Sequence, residues 1–91
     1  MQKRIYKYML ESKSADKAFT RVPIGSKLLK VAGVGDQVYA WYEVSTEFGL
    51  QIVDHVFEIV PTGGTPPVVD SYLDTVFVED LVFHLYASTY T

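Results

Sequence analysis

A short loop, PTGGTPP at residues 61–67, has the residue types of an anion-binding site. The amides of Gly63 and Gly64 could form a nest for an anion, with help from the hydroxyl of Thr62. The loop lacks the lysine and the following helix of a phosphate-binding P-loop. A purely structural turn, with positive φ at one glycine and two prolines to stiffen it, explains the same residues. The loop by itself favours that structural interpretation.

Cations and aromatic rings occur in the same half of the chain and suit a nucleotide-like ligand. Arg4 and Lys7 would neutralise phosphate, and Tyr8 or Trp41 would stack on a base. The alternative for Trp41 is that its ring belongs to the core. The sequence therefore predicts a ligand-binding set that joins these four residues to the loop.

The groups of a catalytic or metal site are absent or badly spaced. The chain has no cysteine, and neither histidine, His55 or His84, lies in an HxH or HExxH motif. No serine is framed as a nucleophile elbow. We therefore predict no metal, no cofactor and no enzymatic activity, and a hydrogen-bonded role for His84 on a strand face. An enzyme of the phosphodiesterase type would have to be built around the two histidines.

Composition indicates one folded domain over residues 1–91. The chain is 48% hydrophobic and 14% aromatic, which is too rich for a disordered segment. The N-terminus lacks the apolar core of a signal peptide, and no apolar run approaches the roughly 20 residues that span a bilayer. We expect a soluble, cytoplasmic protein without a membrane partner.

Charge is distributed unevenly along the chain. All eight Lys and Arg lie at or before Lys30, with two acids among them, whereas residues 31–91 hold nine acids and no Lys or Arg. The first segment thus carries a net +6 and the second −9. Either the two halves face each other, within a chain or between subunits, or the basic segment attracts an anionic ligand. The overall net charge of −3 argues against duplex nucleic acid as the main partner.

Alternating polar and apolar residues predict strands along most of the chain. The segments are 2–10, a short strand around Phe19, 27–33, 37–45, 49–60, 71–78 and 81–89. Segment 49–60 also matches a helical spacing, but its β-branched residues favour a strand. The fold predicted is all-β, a small sandwich or partly open barrel of about six or seven strands.

Turn residues predict how these strands connect. VPIG at 22–25 fits a type I turn, and Gly35-Asp36 fits a two-residue hairpin turn between segments 27–33 and 37–45. An acidic pair, Glu79-Asp80, links the last two strands. In segment 37–45 we expect the face of Val38 to meet the core, with Trp41 on the opposite face.

The segments together resemble a family of short phage-encoded proteins classed as a domain of unknown function. The resemblance rests on IYKYML at 5–10, VPIGSKLLKV at 22–31, VYAWYEV at 38–44, HVFEIVPTGG at 55–64 and YLDTVFVEDLVFHLY at 72–86. The family pattern reads I-[WY]-K-Y-x-L, P-x-G-[AS]-K-[IL]-L-x-V, F-x-I-x-G-T-G and L-V-F-H-[LV]-[FY], in the same order. The chain departs from it at Pro61, which replaces a glycine, and at His55, where many relatives have arginine. Both departures weaken an anion-binding role for the loop.

The resemblance implies a phage origin and a small β-rich fold, and it names no activity. Small phage proteins often counter host defences, and one strategy is a sponge that sequesters cyclic nucleotides or ADP-ribose derivatives. By this analogy we expect a homo-oligomeric binding protein in the cytoplasm of an infected bacterium. The alternative is an interaction module that presents its acidic second half to a host defence protein.

Overall fold

The computed structural model describes residues 3–45, 51–67 and 71–87, which form eight strands and no helix. The strands are β1 (Lys3–Met9), β2 (Glu11–Ser14), β3 (Lys17–Pro23), β4 (Lys27–Val34), β5 (Gln37–Ser45), β6 (Ile52–Pro61), β7 (Tyr72–Val78) and β8 (Leu81–Ala87). The all-β prediction is confirmed, including the strand over the ambiguous segment 49–60. Residues 2, 49, 50, 88 and 89 of the predicted strands lie outside the described ranges. Within those ranges there is no helix of the length and apolarity that a membrane crossing requires.

The strands form two antiparallel sheets that pack on each other. The three-stranded sheet has the order β1-β5-β4, and the five-stranded sheet has the order β2-β3-β6-β8-β7. Strands β4 and β7 touch across the interface, but no ladder pairing joins them among the described strands. The two sheets are therefore not closed into a barrel.

The first two strands are one continuous segment that passes from one sheet to the other. Only Leu10 separates them; its side chain is buried, and its amide donates to the carbonyl of Val38 at 2.9 Å. Strands that change sheets in this way make the corners of packed sheets. The sequence predicts β1 alone, and β2 is the strand that raises the number to eight.

Both predicted hairpins are present, and one predicted turn is wrong. Gly35 has φ 63° in the β4–β5 turn, and Glu79 has φ 53° in the β7–β8 turn. The turn after β3 begins at Pro23, whose carbonyl accepts from the amide of Ser26 at 3.1 Å. It is shifted by one residue from the predicted type I turn because Pro23 is still the last residue of β3, where it lies opposite Ile52 of β6. Gly25, with φ 83°, fills the third position, where a type II turn needs positive φ.

The core lies between the sheets, and β5 supplies its centre. Ala40, Tyr42 and Val44 are buried, whereas Tyr39 and Trp41 are half-buried on the other side of the strand. The predicted inward face of β5 is therefore confirmed. The other members of the buried apolar cluster around these residues are Leu10, Ala18, Val22, Val31, Phe57, Val76 and Leu85.

A glycine allows the two sheets to approach closely. A Cβ atom built on Gly33 in β4 would lie 1.8 Å from the carbonyl oxygen of Phe77 in β7. Real Cβ atoms do not come so near a backbone oxygen, so only glycine fits there. This contact sets the separation of the sheets where β4 and β7 meet.

A hydrogen bond between Tyr42 and His55 joins the sheets in the interior. The Tyr42 hydroxyl lies 3.0 Å from His55 Nδ1, and the rings are 5.3 Å apart. Burial raises the pKa of Tyr42, with a smaller contribution from Tyr8, so the phenol stays protonated. Burial also lowers the pKa of His55, so the ring is held neutral. A protonated phenol and a neutral Nδ1 form a matched donor and acceptor.

Gly33→Ala should destabilise the protein severely, because its methyl group would collide with backbone rather than with a movable side chain. We expect a loss of more than about 3 kcal/mol in the free energy of unfolding, measured by urea denaturation. Gly35→Ala is the matched control, since nothing lies within 4 Å of its Cβ position. Its positive φ should cost about 1–2 kcal/mol. Equal losses in the two variants would contradict the close approach of the sheets.

The stability of the protein should fall as the pH drops through the ordinary histidine pKa of 6.5. The unfolded chain takes up the proton on His55 first, because burial depresses the pKa in the folded state, so protonation favours unfolding. Urea denaturation at about pH 7.5 and about pH 5.5 measures the loss. His55→Gln should remove most of it, and His84→Gln should retain it. An unchanged pH dependence in His55→Gln would refute this assignment.

Candidate functional site

The outward side of the three-stranded sheet carries lysines and aromatic rings together, and we name it the Lys–aromatic face. Alternation along each strand places these side chains on the side opposite the core. Strand register brings the three strands into rows across the face. Its members are Lys3, Ile5, Lys7 and Met9 of β1, Tyr39, Trp41 and Glu43 of β5, and Lys27, Lys30 and Ala32 of β4.

Trp41 occupies the middle of this face with a lysine on either side. In the register of the sheet, Trp41 lies opposite Lys7 of β1 and opposite Lys30 of β4. Directly opposite residues in antiparallel strands have Cβ atoms about 4.5–5.5 Å apart, so both ammonium groups can reach a ligand stacked on the indole. Both lysines are exposed, and Trp41 is half-buried. The row supplies a stacking surface between two positive charges.

The electrostatic potential of the Lys–aromatic face is positive. An ion pair and a cation–π contact hold two of its lysines in place. Four exposed lysines and one glutamate give it a net charge of +3. Lys3 pairs with Glu43 at 3.6 Å, an exposed ion pair that contributes little to stability. The Lys7 ammonium lies 4.8 Å from the centre of the Tyr39 ring, and that ring is 6.5 Å from the ring of Trp41. A cation–π contact of this kind keeps the ammonium over the face.

Arg4 and Tyr8, also predicted to bind the ligand, point to the other side of β1. Their register partners in β5 are Val44 and Ala40, which are buried. Tyr8 packs edge-on against Tyr42, with ring centres 5.7 Å apart. Burial raises the pKa of Tyr8, with a smaller contribution from Tyr6. Two of the predicted residues are thus separated from Lys7 and Trp41 by the sheet itself.

The predicted loop lies on the five-stranded sheet and not on the Lys–aromatic face. The amide of Gly64 donates to Pro61 at 2.8 Å and that of Thr62 donates to Val82 at 3.3 Å, so both are used within the fold. Gly63 has φ 93°, as a structural turn requires. The hollow beside the loop is lined by Asp16, Glu58 and Gly64, among others. Two carboxylates at this hollow would repel an anion.

The two histidines lie on opposite faces of the five-stranded sheet. His55 faces the interior, whereas His84 bonds outward to Thr75 through Nδ1 at 2.9 Å and to Thr62 through Nε2 at 3.0 Å. The Thr75 hydroxyl in turn contacts that of Tyr72. The hydrogen-bonded role of His84 is therefore confirmed, and the histidines share no site. Across residues 3–45, 51–67 and 71–87, no group of acidic and histidine side chains is placed to hold a metal ion.

A cavity of about 290 Å³ opens between the sheets, near the β2–β3 and β4–β5 turns. Its walls include the apolar side chains of Leu10, Val76 and Phe83, and its charged lining residues are Lys17 and Asp36. One cation beside one acid gives no net attraction for an anion. The cavity is a less suitable place for a phosphate-bearing ligand than the Lys–aromatic face.

Sequence reasoning did not include Tyr39 and Lys30 in the candidate site. The alternation of β5 already puts Tyr39 on the side of Trp41. A two-residue turn at Gly35-Asp36, counted back along the hairpin, also places Lys30 opposite Trp41. Both residues could therefore be predicted from the sequence. The pairing of Lys7 with Trp41 was not, because it joins strands that are distant in the chain.

Comparison with known proteins gives the chain a family. Neither the curated proteins nor the solved structures contain a match. A protein-family model described as a domain of unknown function (DUF7352) matches residues 1–91. The match extends over the whole sequence and confirms the predicted resemblance to a domain of unknown function. The chain belongs to the DUF7352 family.

Proposed function

We propose that this protein is a non-enzymatic binding protein that holds an anionic, ring-bearing ligand of the nucleotide class on the Lys–aromatic face. The observation that carries the proposal is the row in which Trp41 lies between Lys7 and Lys30. The indole would stack on the base, and the ammonium groups would neutralise phosphate on both sides of it. Arg4, Tyr8 and the loop at 61–67 have no part in this version of the site.

The shape of the face supports a ligand that lies flat. An exposed sheet surface with aromatic rings and cations is a common platform for unstacked bases. Such a surface cannot reach the base edges in a duplex groove, and the acidic remainder of the protein would repel an extended polyanion. The ligand class is therefore a small nucleotide rather than duplex nucleic acid.

The biological role we propose is sequestration of a nucleotide-derived immune signal in the cytoplasm of an infected bacterium. A cyclic nucleotide or an ADP-ribose derivative has both features that the face suits, a ring and a phosphate. The resemblance to phage-encoded proteins supports the infected bacterium as the place where the protein acts. A sponge needs binding without turnover of the signal.

Removal of the two flanking lysines should weaken binding of these nucleotides. The protein has one tryptophan, so quenching of its fluorescence reports occupancy at Trp41 directly. We expect Lys7→Ala/Lys30→Ala to lose about tenfold or more in affinity, equivalent to about 1.4 kcal/mol. Lys13→Ala/Arg21→Ala is the matched control, because it removes two exposed cations from other surfaces. Equal losses of affinity in both variants would mean that binding depends only on the overall charge of the protein and not on these two lysines.

Trp41→Ala should remove the stacking contribution while leaving the fold intact, because the side chain is not part of the core. Stacking of a base on an aromatic ring is worth about 1–3 kcal/mol, so affinity should fall by roughly 5- to 150-fold in calorimetric titrations. Trp41→Phe should retain part of the affinity. Unaltered binding in Trp41→Ala, with an unchanged circular dichroism spectrum, would place the ligand elsewhere.

Depletion of signals from a mixture tests the proposed role. Cyclic dinucleotides, cyclic trinucleotides and ADP-ribose derivatives are incubated with the protein, separated by filtration and examined by mass spectrometry after heat release. Depletion followed by intact release supports a sponge, and release with a changed mass identifies an enzyme. Absence of depletion at high protein concentration overturns the binding proposal.

A second candidate function is inhibition of a host protein through the β7–β8 hairpin. Phe77 and Leu81 are 66% and 59% exposed, and the acidic turn residues Glu79 and Asp80 lie between them. Exposed apolar side chains beside acids suit a basic, partly apolar partner. Capture of a host protein that is lost in Phe77→Ser but kept in Lys7→Ala/Lys30→Ala would favour this function.

A further inference from the structure

Strand β1 has a long edge that no other described strand covers. Among the strands of residues 3–45, 51–67 and 71–87, only β5 pairs with β1, so none of them lies on its second edge. Six of its seven residues are exposed, and Ile5, Tyr6 and Met9 retain 63%, 47% and 47% of their surface. A long edge strand with exposed apolar residues is a template for pairing with another strand.

The other edges of the two sheets carry the usual protection against such pairing. β2 has only four residues, all polar or charged, and its ladder is irregular between Ser12 and Ser14. β4 and β7 pack against each other at Gly33. The end of β3 contains Pro23, which cannot donate a ladder hydrogen bond. Among the described edge strands, β1 is therefore the one without such protection.

We propose that β1 pairs antiparallel with β1 of a second copy of this chain, with Tyr6 on the two-fold axis. In this register Lys3 lies opposite the partner's Met9, Arg4 opposite the partner's Tyr8, and Ile5 opposite the partner's Lys7. No cation faces another cation. Each residue also meets one from the same side of the sheet, as continuous faces require.

The neighbouring registers are excluded by charge. With Ile5 on the axis, Lys3 would lie opposite the partner's Lys7, and this contact would occur twice. With Lys7 on the axis, the two copies of that lysine would face each other. Like charges directly opposite are destabilising, and shifts by one residue would set core-side against outward-side side chains. Among the registers that pair at least five residues of KRIYKYM, the order of charges therefore selects one.

The paired copies would form one six-stranded sheet with a single, doubled Lys–aromatic face. The two Trp41 residues would be separated by three strand spacings and an offset of two residues, on the order of 15 Å. A ligand with two stackable rings could then contact both indoles. This consequence rests on the proposed function, whereas the pairing of β1 does not.

Light scattering on charge variants of position 5 tests the register. The wild type should be a dimer, and Ile5→Lys should raise the dissociation constant at least tenfold, because an ammonium would face the partner's Lys7 twice. Ile5→Glu should strengthen the dimer, and Ile5→Lys/Lys7→Glu should restore it. Ile52→Lys is the control, since Ile52 is also exposed, at 53%, but lies in β6. A wild type that stays monomeric at all concentrations overturns the proposal, whether or not nucleotides bind.

Cross-linking tests the axis independently. The chain has no cysteine, so Tyr6→Cys introduces a single thiol that would lie opposite its own copy. Directly opposite Cα atoms in an antiparallel pair are about 4.5–5.5 Å apart, within the range that a disulfide spans. Tyr6→Cys should form a covalent dimer on mild oxidation. Met9→Cys, equally exposed at 47% but opposite the partner's Lys3, should not. Equal cross-linking of the two variants, or a dimer unaffected by Ile5→Lys, would refute pairing through β1.

Discussion

Complete burial of Tyr42 is the constraint on which the three-stranded sheet depends. Its ring is fully enclosed, and its hydroxyl is 3.0 Å from His55 Nδ1 across the interior. A buried hydroxyl without a partner would cost about 1–3 kcal/mol, so β5 cannot slide or turn over without breaking this bond. Because side chains alternate along a strand, fixing Tyr42 inward fixes Trp41 outward. The same interaction that joins the sheets therefore orients the candidate site.

A chain of 91 residues has too few strands to bury every face and edge. The close approach at Gly33 and the crossing of β1 into β2 at Leu10 enclose one core. The strands used for that closure are β2, β4 and β7, and no other described strand than β5 lies beside β1. The small number of strands thus accounts for both the exposed Lys–aromatic face and the exposed edge of β1.

The separation of charge along the chain has two consequences in the folded protein. Ion pairs such as Lys3 with Glu43 and Arg21 with Asp54 join the basic first segment to the acidic remainder. Four lysines of the same segment nevertheless gather on one sheet face, since β1 and β4 flank β5. Contact between the two halves and a positively charged sheet face therefore coexist in the fold.

Features that depend on neighbouring residues follow from the sequence alone. Alternation of polar and apolar residues predicts the strands and the inward face of β5. The turn at Gly35 predicts the hairpin, whose register sets Lys30 opposite Trp41. The turn after β3 was misplaced because Pro23 continues the strand, a pairing with β6 that local residues do not encode. The pairing of β1 with β5, by contrast, is what brings Lys7 to Trp41 and leaves Arg4, Tyr8 and the loop at Gly63 elsewhere. Residue types show what a side chain can bind, but pairing between strands distant in the chain decides which side chains meet.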